Sequence, residues 1–238
     1  MDWTTIPNVG KIAEESNIPR GIGSVNSRKF LFDSSKQFIK LCAKYYDVVK
    51  ADFPFIFGEQ QLNSVLLPAF SKVSNATLAE QPIFRKEKKN ILNSGWLDFW
   101  ILYKSNIFLV EVKHGWTALE SKTIRRETQR KWNDSVKQIQ NIPQSEIEKL
   151  NFSGRNLIKI AYMVIPFYKS SNDAEKLVNI KIDRNVLVEN LVENISPKPN
   201  WTFFWQLNKK YQEPILCADN RSEIYPMVAI LALVENIN

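Results

Sequence analysis

GWLDFWILYKSNIFLVEVKHGW, residues 95–116, is one of the most apolar stretches of the chain, yet it carries Asp98, Glu111 and Lys113. A charge taken out of water without a partner costs several kcal/mol or more, so such groups are paired, bound to a metal or neutralised. If Lys104 and Ser105 form the tip of a tight hairpin, Tyr103 pairs with Asn106 and, counting back, Asp98 falls opposite Glu111. Glu111 and Lys113 are two apart, so period-2 alternation places all three charges on one face. A four-residue loop keeps that register, whereas an odd-numbered loop or a bulge breaks it. Lys-Ser is a poor two-residue turn beside Asn-Gly, which favours the wider loop. In either case like charges across a ladder repel, and Lys113 can neutralise only one of the two carboxylates. A Glu-X-Lys on a strand is most often a solvated face. Here Trp96, Trp100 and Leu102 flank Asp98, and Ile107 and Leu109 precede Glu111. Strands apolar on both faces are central strands, so the charges share a cleft or a buried site.

Composition bounds the answer. The chain has 238 residues, 44% of them hydrophobic, enough to bury one sizeable core. No apolar run reaches the ~18 residues of a membrane span, and the first twenty residues are acidic and polar where a signal peptide is basic and then apolar. A cytoplasmic protein with no membrane partner is expected. Cys42 and Cys217 lie far apart in apolar contexts and read as buried fillers rather than a disulfide or zinc pair. His114 is the single histidine, which excludes chemistry needing two. A net charge of +7 suits a polyanionic partner.

Outward from the hairpin the periodicities give an order of elements. Residues 1–26 read as an irregular lead-in, followed by helices over 28–51 and 59–73. Strands follow at 78–87, 96–103 and 106–113. A long helix over 121–142 carries the stripe Ile124, Thr128, Trp132, Val136 and Ile139 opposite Arg126, Arg130 and Lys137. A buried strand is expected at 156–168, one or two helices over 173–194, and strands at 201–207 and 224–234. No repeat or linker divides the chain.

Asp98, twelve intervening residues and then Glu111-Val112-Lys113 resembles the active-site signature of the PD-(D/E)XK nuclease superfamily. The order of elements from 59 to 166 (helix, three strands, helix, strand) is similar to that family's core, and the resemblance covers about half the chain. Leu97 stands where the name-giving proline would be. The resemblance implies an α/β fold of restriction endonuclease-like type, with a central mixed sheet flanked by helices and C-terminal helical and strand additions. It implies one domain: an N-terminal arm and helix (1–58), a catalytic core (59–168) and a C-terminal extension packed on it (169–238). It also implies a nuclease in which Asp98, Glu111 and the Val112 carbonyl hold Mg²⁺, with Mn²⁺ as substitute. Oxygen ligands suit such a hard cation, which activates water and stabilises charge on the phosphate. Lys113 would orient or help deprotonate the attacking water.

Glu59, first residue of the second helix, matches a glutamate that adds a metal ligand in similar nucleases; equally, it complements a helix N-terminus. Gln138 resembles the catalytic-site glutamine of RecB-like members, although Ile142 stands where their tyrosine would be; Gln129 competes with it, and each taken singly reads first as a surface glutamine. Arg125, Arg126, Arg130 and Lys131 would form a basic face tracking a phosphate backbone or a solvated face with local ion pairs. His114 would contact a phosphate or cap the strand end. The tryptophans read as core or cleft wall, with Trp116 the one placed to stack on a base. The expected activity is metal-dependent hydrolysis of phosphodiester bonds in DNA, as a homodimer or within a larger DNA-processing assembly. The alternatives are a nucleic-acid-binding subunit without useful catalysis and a protein whose three charges form only a buried ion network.

Overall fold

A sheet apolar on both faces needs a helical layer on each side, and the chain supplies both. The computed structural model describes residues 1–49, 52–86, 92–150, 154–178 and 180–236. Its elements are β1 (Thr4–Ile6), β2 (Gly10–Ser16), α1 (Ser24–Val49), α2 (Glu59–Val73), β3 (Ala76–Lys86), β4 (Leu92–Tyr103), β5 (Asn106–His114), β6 (Thr117–Ala118), α3 (Arg126–Gln140), α4 (Gln144–Leu150), β7 (Asn156–Ser171), α5 (Arg184–Asn194), β8 (Trp201–Leu207), β9 (Ile215–Leu216) and β10 (Ser222–Asn236). Short 3-10 turns lie at Pro54–Ile56, Ala174–Leu177 and Lys209–Tyr211. Among the described residues the strands form one ten-stranded sheet in the order β1-β2-β8-β10-β7-β5-β4-β3, with β6 beside β7 and β9 beside β10. Pairing is antiparallel except where β5 and β6 run parallel to β7. The architecture is α/β, an open and mostly antiparallel central sheet flanked by helices.

Alternation on β5 divides the core. Phe108, Val110 and Val112 face α1 and α2, where Phe30, Phe38, Leu66 and Phe70 are buried. Ile107 and Leu109 face α3, α4 and α5, against Trp132, Ile139, Ile147 and Leu191. Each fully buried large apolar side chain contributes about 1.5–3 kcal/mol. Phe70 on α2 meets Phe99 and Tyr162 edge-on at centroid distances of 5.1 and 5.8 Å. Those contacts lock α2 to the sheet and set the place of its first residue, Glu59.

Four differences from the expected order have physical causes. The lead-in is a β-hairpin: every residue of β2 pairs with β8, although Gly, Ala, Glu and Ser give β2 little intrinsic strand preference. The turn between β4 and β5 is the two-residue one, since Tyr103 pairs with Asn106, and Lys104 takes φ 52° to close it. Burial of both strand faces sets the register, and the turn residue accepts the left-handed backbone. α3 starts at Arg126, not Ser121, because Thr117–Ala118 pairs with β7 and Leu119 N–H donates to Tyr168 O. α4 was not expected from its short sequence. Lys50 and Ala51 of the expected first helix and Glu87 of the first strand lie outside the described residues. No helix among the described residues is long and apolar enough to cross a membrane.

Candidate functional site

β4 and β5 stay paired from Tyr103–Asn106 to Phe99–Val110, and the ladder stops there. At the next position the Asp98 carboxylate takes over: its Oδ2 accepts the Val112 N–H at 2.7 Å. Across Asp98 on the other neighbouring strand, between the pairs Ala79–Phe99 and Gln81–Leu97, Glu80 has φ 53°. Alternation breaks at the same place, because Leu97 packs on the α3 side together with Trp100. The ladder is therefore interrupted on both sides of Asp98, and β4 forks from β5.

Glu111 and Lys113 sit in that fork. The Lys113 ammonium lies 3.1 Å from Glu59 Oε1, 3.2 Å from Glu111 Oε1 and 3.0 Å from the Val112 carbonyl. Glu59 reaches it from the first turn of α2, where the carboxylate also complements the helix N-terminus. Glu59 thus stands at the helix N-terminus and beside Lys113 at once. Glu111 is 3% exposed, and its backbone carbonyl accepts from Ser135 Oγ on α3 at 3.2 Å. Its second carboxylate oxygen is taken by a residue the sequence reading did not single out: Arg85 on β3 donates from Nη2 to Glu111 Oε2 at 2.5 Å and to Trp96 O at 2.9 Å. Gly95 makes room for this side chain, since a Cβ there would stand 3.1 Å from Arg85 Nη1. The cluster holds the carboxylates of Glu59, Asp98 and Glu111 against the cations of Arg85 and Lys113.

Electrostatics follow from that ratio. Burial, and next the neighbouring Asp98, push the Glu111 carboxyl up to about 7 against the pull of Lys113 and Arg85. Burial also raises the Asp98 carboxyl, opposed by Lys113 and the Val112 N–H. For Lys113, burial works against the charge, but Glu111, Asp98 and Glu59 outweigh it and hold the ammonium above the ordinary lysine range. At neutral pH Lys113 is a fixed positive charge and hydrogen-bond donor.

The remaining expected site residues divide. Gln138 is one turn of α3 beyond Ser135, and its Oε1 is buried without a hydrogen-bond partner among the described residues. Gln129 is turned the other way, onto the backbone of Ser196 and the side chain of Asn133. The His114 ring is turned onto protein backbone. It is fully buried, and burial drives it down to about 4, so the neutral ring donates from Nε2 to Phe55 O at 2.6 Å. That bond ties the end of β5 to the turn before α2 and so fixes the distance between Lys113 and Glu59. Arg130 spends its guanidinium on Glu127 and Asp134, the local ion pairs of a solvated face. Arg125 donates to the Tyr168 hydroxyl at 3.3 Å, Arg126 is exposed, and the Lys131 ammonium lies 5.2 Å over the Trp116 ring. Trp96, expected in the core or a cleft wall, is 60% exposed.

Among the described residues no three Asp, Glu, His or Cys side chains meet as a ready metal cage. What draws Glu59, Glu111 and the Val112 carbonyl about one point is the Lys113 ammonium. Compared with models of protein families, with curated proteins and with solved structures, the chain matches none.

Proposed function

We propose that the chain is a divalent-metal-dependent nuclease acting on DNA, built on a core of the PD-(D/E)XK type. One observation carries the reading. Oxygens of Glu59, Glu111 and Val112 converge on a single cationic point, with the Asp98 carboxylate anchored on the adjacent strand. The element order α2, β3, β4, β5, α3, β7 and the adjacency β7-β5-β4-β3 support it.

The residues present fit a magnesium ion. All four donors are hard oxygens, the preference of Mg²⁺ at about 2.1 Å, and the three around Lys113 already surround a positive charge. Such an ion supplies charge to the phosphate and acidifies water at the site. Asp98, Glu111, Val112 O and Glu59 would hold it. Lys113, kept protonated by its neighbours, orients water and a phosphate oxygen rather than removing a proton. Gln138 carries a buried acceptor without a partner one turn beyond Ser135, whose hydroxyl donates to the Glu111 carbonyl.

The deciding experiment incubates the pure chain with plasmid, linear duplex and single-stranded DNA in Mg²⁺, Mn²⁺ or EDTA. Cleavage that needs the metal and is lost in Asp98→Asn is expected. DNA binding with steep salt dependence but no cutting supports a binding subunit of a larger assembly instead. Arg85 favours a further reading, a structural ion network, because it gives Glu111 a second cation. A chain that neither binds nor cuts nucleic acid leaves that one.

Metal binding has its own readout in stability. A ligand at a hundredfold its Kd adds about 2.7 kcal/mol to the folded state, a rise of about 5–10 °C in Tm for a chain of this size. Mg²⁺ or Mn²⁺ is expected to produce that shift in differential scanning fluorimetry, and Asp98→Asn to shrink it. An equal shift in both proteins would place the metal elsewhere.

A further inference from the structure

Beside the carboxylate cluster lies a recess of different chemistry. Thr128 at the start of α3 clamps the second residue past β5: its Oγ1 donates to Trp116 O at 2.7 Å and accepts the Trp116 N–H at 3.1 Å. Gly115 permits that approach, since a Cβ there would stand 2.7 Å from Thr128 Cγ2 and 2.6 Å from Met163 Cε. The Trp116 indole, held edge-on to His114 at a centroid distance of 4.3 Å, stays partly exposed. It lines a cleft of about 420 Å³ together with Arg125, Tyr168, Arg221 and Tyr225.

The lining is a clamped aromatic surface between cations. The Arg125 guanidinium lies 5.9 Å over the Tyr168 ring and donates to that hydroxyl, a neutral partner. Arg221 is half exposed and pairs with Asp219 across a turn at 2.6 Å. Lys131 adds a third positive charge against the Trp116 ring. Glu223, the acidic residue of the cleft, is engaged by the Tyr225 hydroxyl. An aromatic platform beside guanidiniums, in a volume typical of small-ligand sites, matches a nucleotide: a base stacks on the indole and a phosphate takes the guanidinium forks.

We infer that this cleft binds one nucleotide of a single-stranded nucleic acid, its base on Trp116 and its phosphate between Arg125 and Arg221. A base inside a duplex keeps its faces covered by its neighbours, so only an unstacked base reaches a recessed ring. Trp116 is three residues past Lys113 and Ile56 three before Glu59, and both line the cleft. Three extended residues span about 10 Å, so a strand seated here passes the carboxylate cluster. That last step rests on the nuclease reading; the binding step rests on the cleft alone.

The test measures anisotropy of a labelled oligothymidylate in EDTA, with thymidine monophosphate and a labelled duplex as further arms. Trp116→Leu is expected to weaken oligonucleotide binding about five- to hundredfold, the usual loss of one stacked base. Arg125→Ala with Arg221→Ala should weaken it and lower the salt slope by up to about 1.4, at ~0.7 per phosphate contact on a single strand. Lys40→Ala, an exposed cation on α1, should do neither. Arg125 and Arg221 are exposed, so the double variant keeps the test valid even if Trp116→Leu fails to fold. Variants that bind as wild type, or a duplex that binds as tightly as the single strand, overturn the inference whether or not the protein cuts DNA. Equal affinity for the free nucleotide overturns the strand and leaves a soluble-nucleotide site. Binding that depends on these residues without cleavage in Mg²⁺ or Mn²⁺ sustains the cleft and removes the nuclease reading instead.

Discussion

Replacing Lys113 with alanine is expected to lower the rate of DNA cleavage by about two orders of magnitude or more, while divalent-metal binding survives. The size is that of losing a positioned electrostatic or proton-handling group. Its direction follows from the contacts. Lys113 is the cation shared by Glu59, Glu111 and the Val112 carbonyl, and removing it takes away a donor for water or phosphate without touching any carboxylate. Those oxygens then face each other with less compensation, so the variant should melt lower in EDTA and gain more from saturating Mg²⁺ than wild type does. Single-turnover cleavage of labelled DNA, single-stranded and duplex, read beside a thermal shift with and without metal, separates the two effects. Cleavage within a few-fold of wild type would remove Lys113 from the chemistry. A lost thermal shift would mean that the lysine organises the site instead of acting in it.

Asp98, Glu111 and Lys113 were legible because they sit on two strands joined by the shortest hairpin turn, where counting residues is enough to find neighbours. The same counting could not show that pairing ends at Phe99–Val110 and that the Asp98 carboxylate replaces a ladder bond. Pairing is interrupted on the β3 side as well, at Glu80, a feature of the sheet rather than of the hairpin. Glu59 was singled out by the resemblance, at the first position of a helix with a clean apolar stripe. Its contact with Lys113 depends on the His114–Phe55 bond and on Phe70 packing, neither of which has a local signature.

Elements held by long-range pairing were the least legible. β2 owes its form to β8, almost two hundred residues away in sequence, and its composition alone predicts no strand. His114 left two readings open for a related reason, a phosphate contact or a cap on the strand end, and only the turn at Pro54–Ile56 packed over it shows the ring bonded to the Phe55 carbonyl. Arg85 left one signal. Two carboxylates and one lysine do not balance, so a second cation was called for, and Gly95 opposite Ile83 on the neighbouring strand opens the path for it. Charge counting demands a partner; the reach of the Arg85 side chain past Gly95 to Glu111 supplies it.

Removing that partner should give the largest stability effect. Arg85→Met leaves Glu111 buried with Lys113 as its one remaining ion-pair partner among the described residues, and breaking a buried pair from one side costs about 3–5 kcal/mol. The cost should depend on pH with a definite sign. Glu111 is raised in the folded state to about 7 from an ordinary 4.5, so between those values the folded chain holds a proton that the unfolded chain has released. For this group, then, wild-type stability falls as pH rises from about 4.5 to about 7 and levels off above. Arg85 is one of the charges holding that value down, so in Arg85→Met the decline continues to higher pH. The difference between the two proteins should therefore be small near pH 5, where Glu111 is protonated in both, and grow to its full size above pH 7. Urea denaturation at a series of pH values measures it. A difference that stays constant from pH 5 to 9 would show that Glu111 is not what Arg85 compensates. Adding Glu111→Gln to Arg85→Met should recover much of the loss, since no unpaired charge then remains there, whereas Glu111→Gln alone strands Arg85. Metal sharpens the contrast, because Arg85 and a divalent ion compete for the same carboxylate. Arg85→Met should gain more in Tm from Mg²⁺ than wild type, and a smaller gain would mean that the guanidinium helps to build the site that the metal uses.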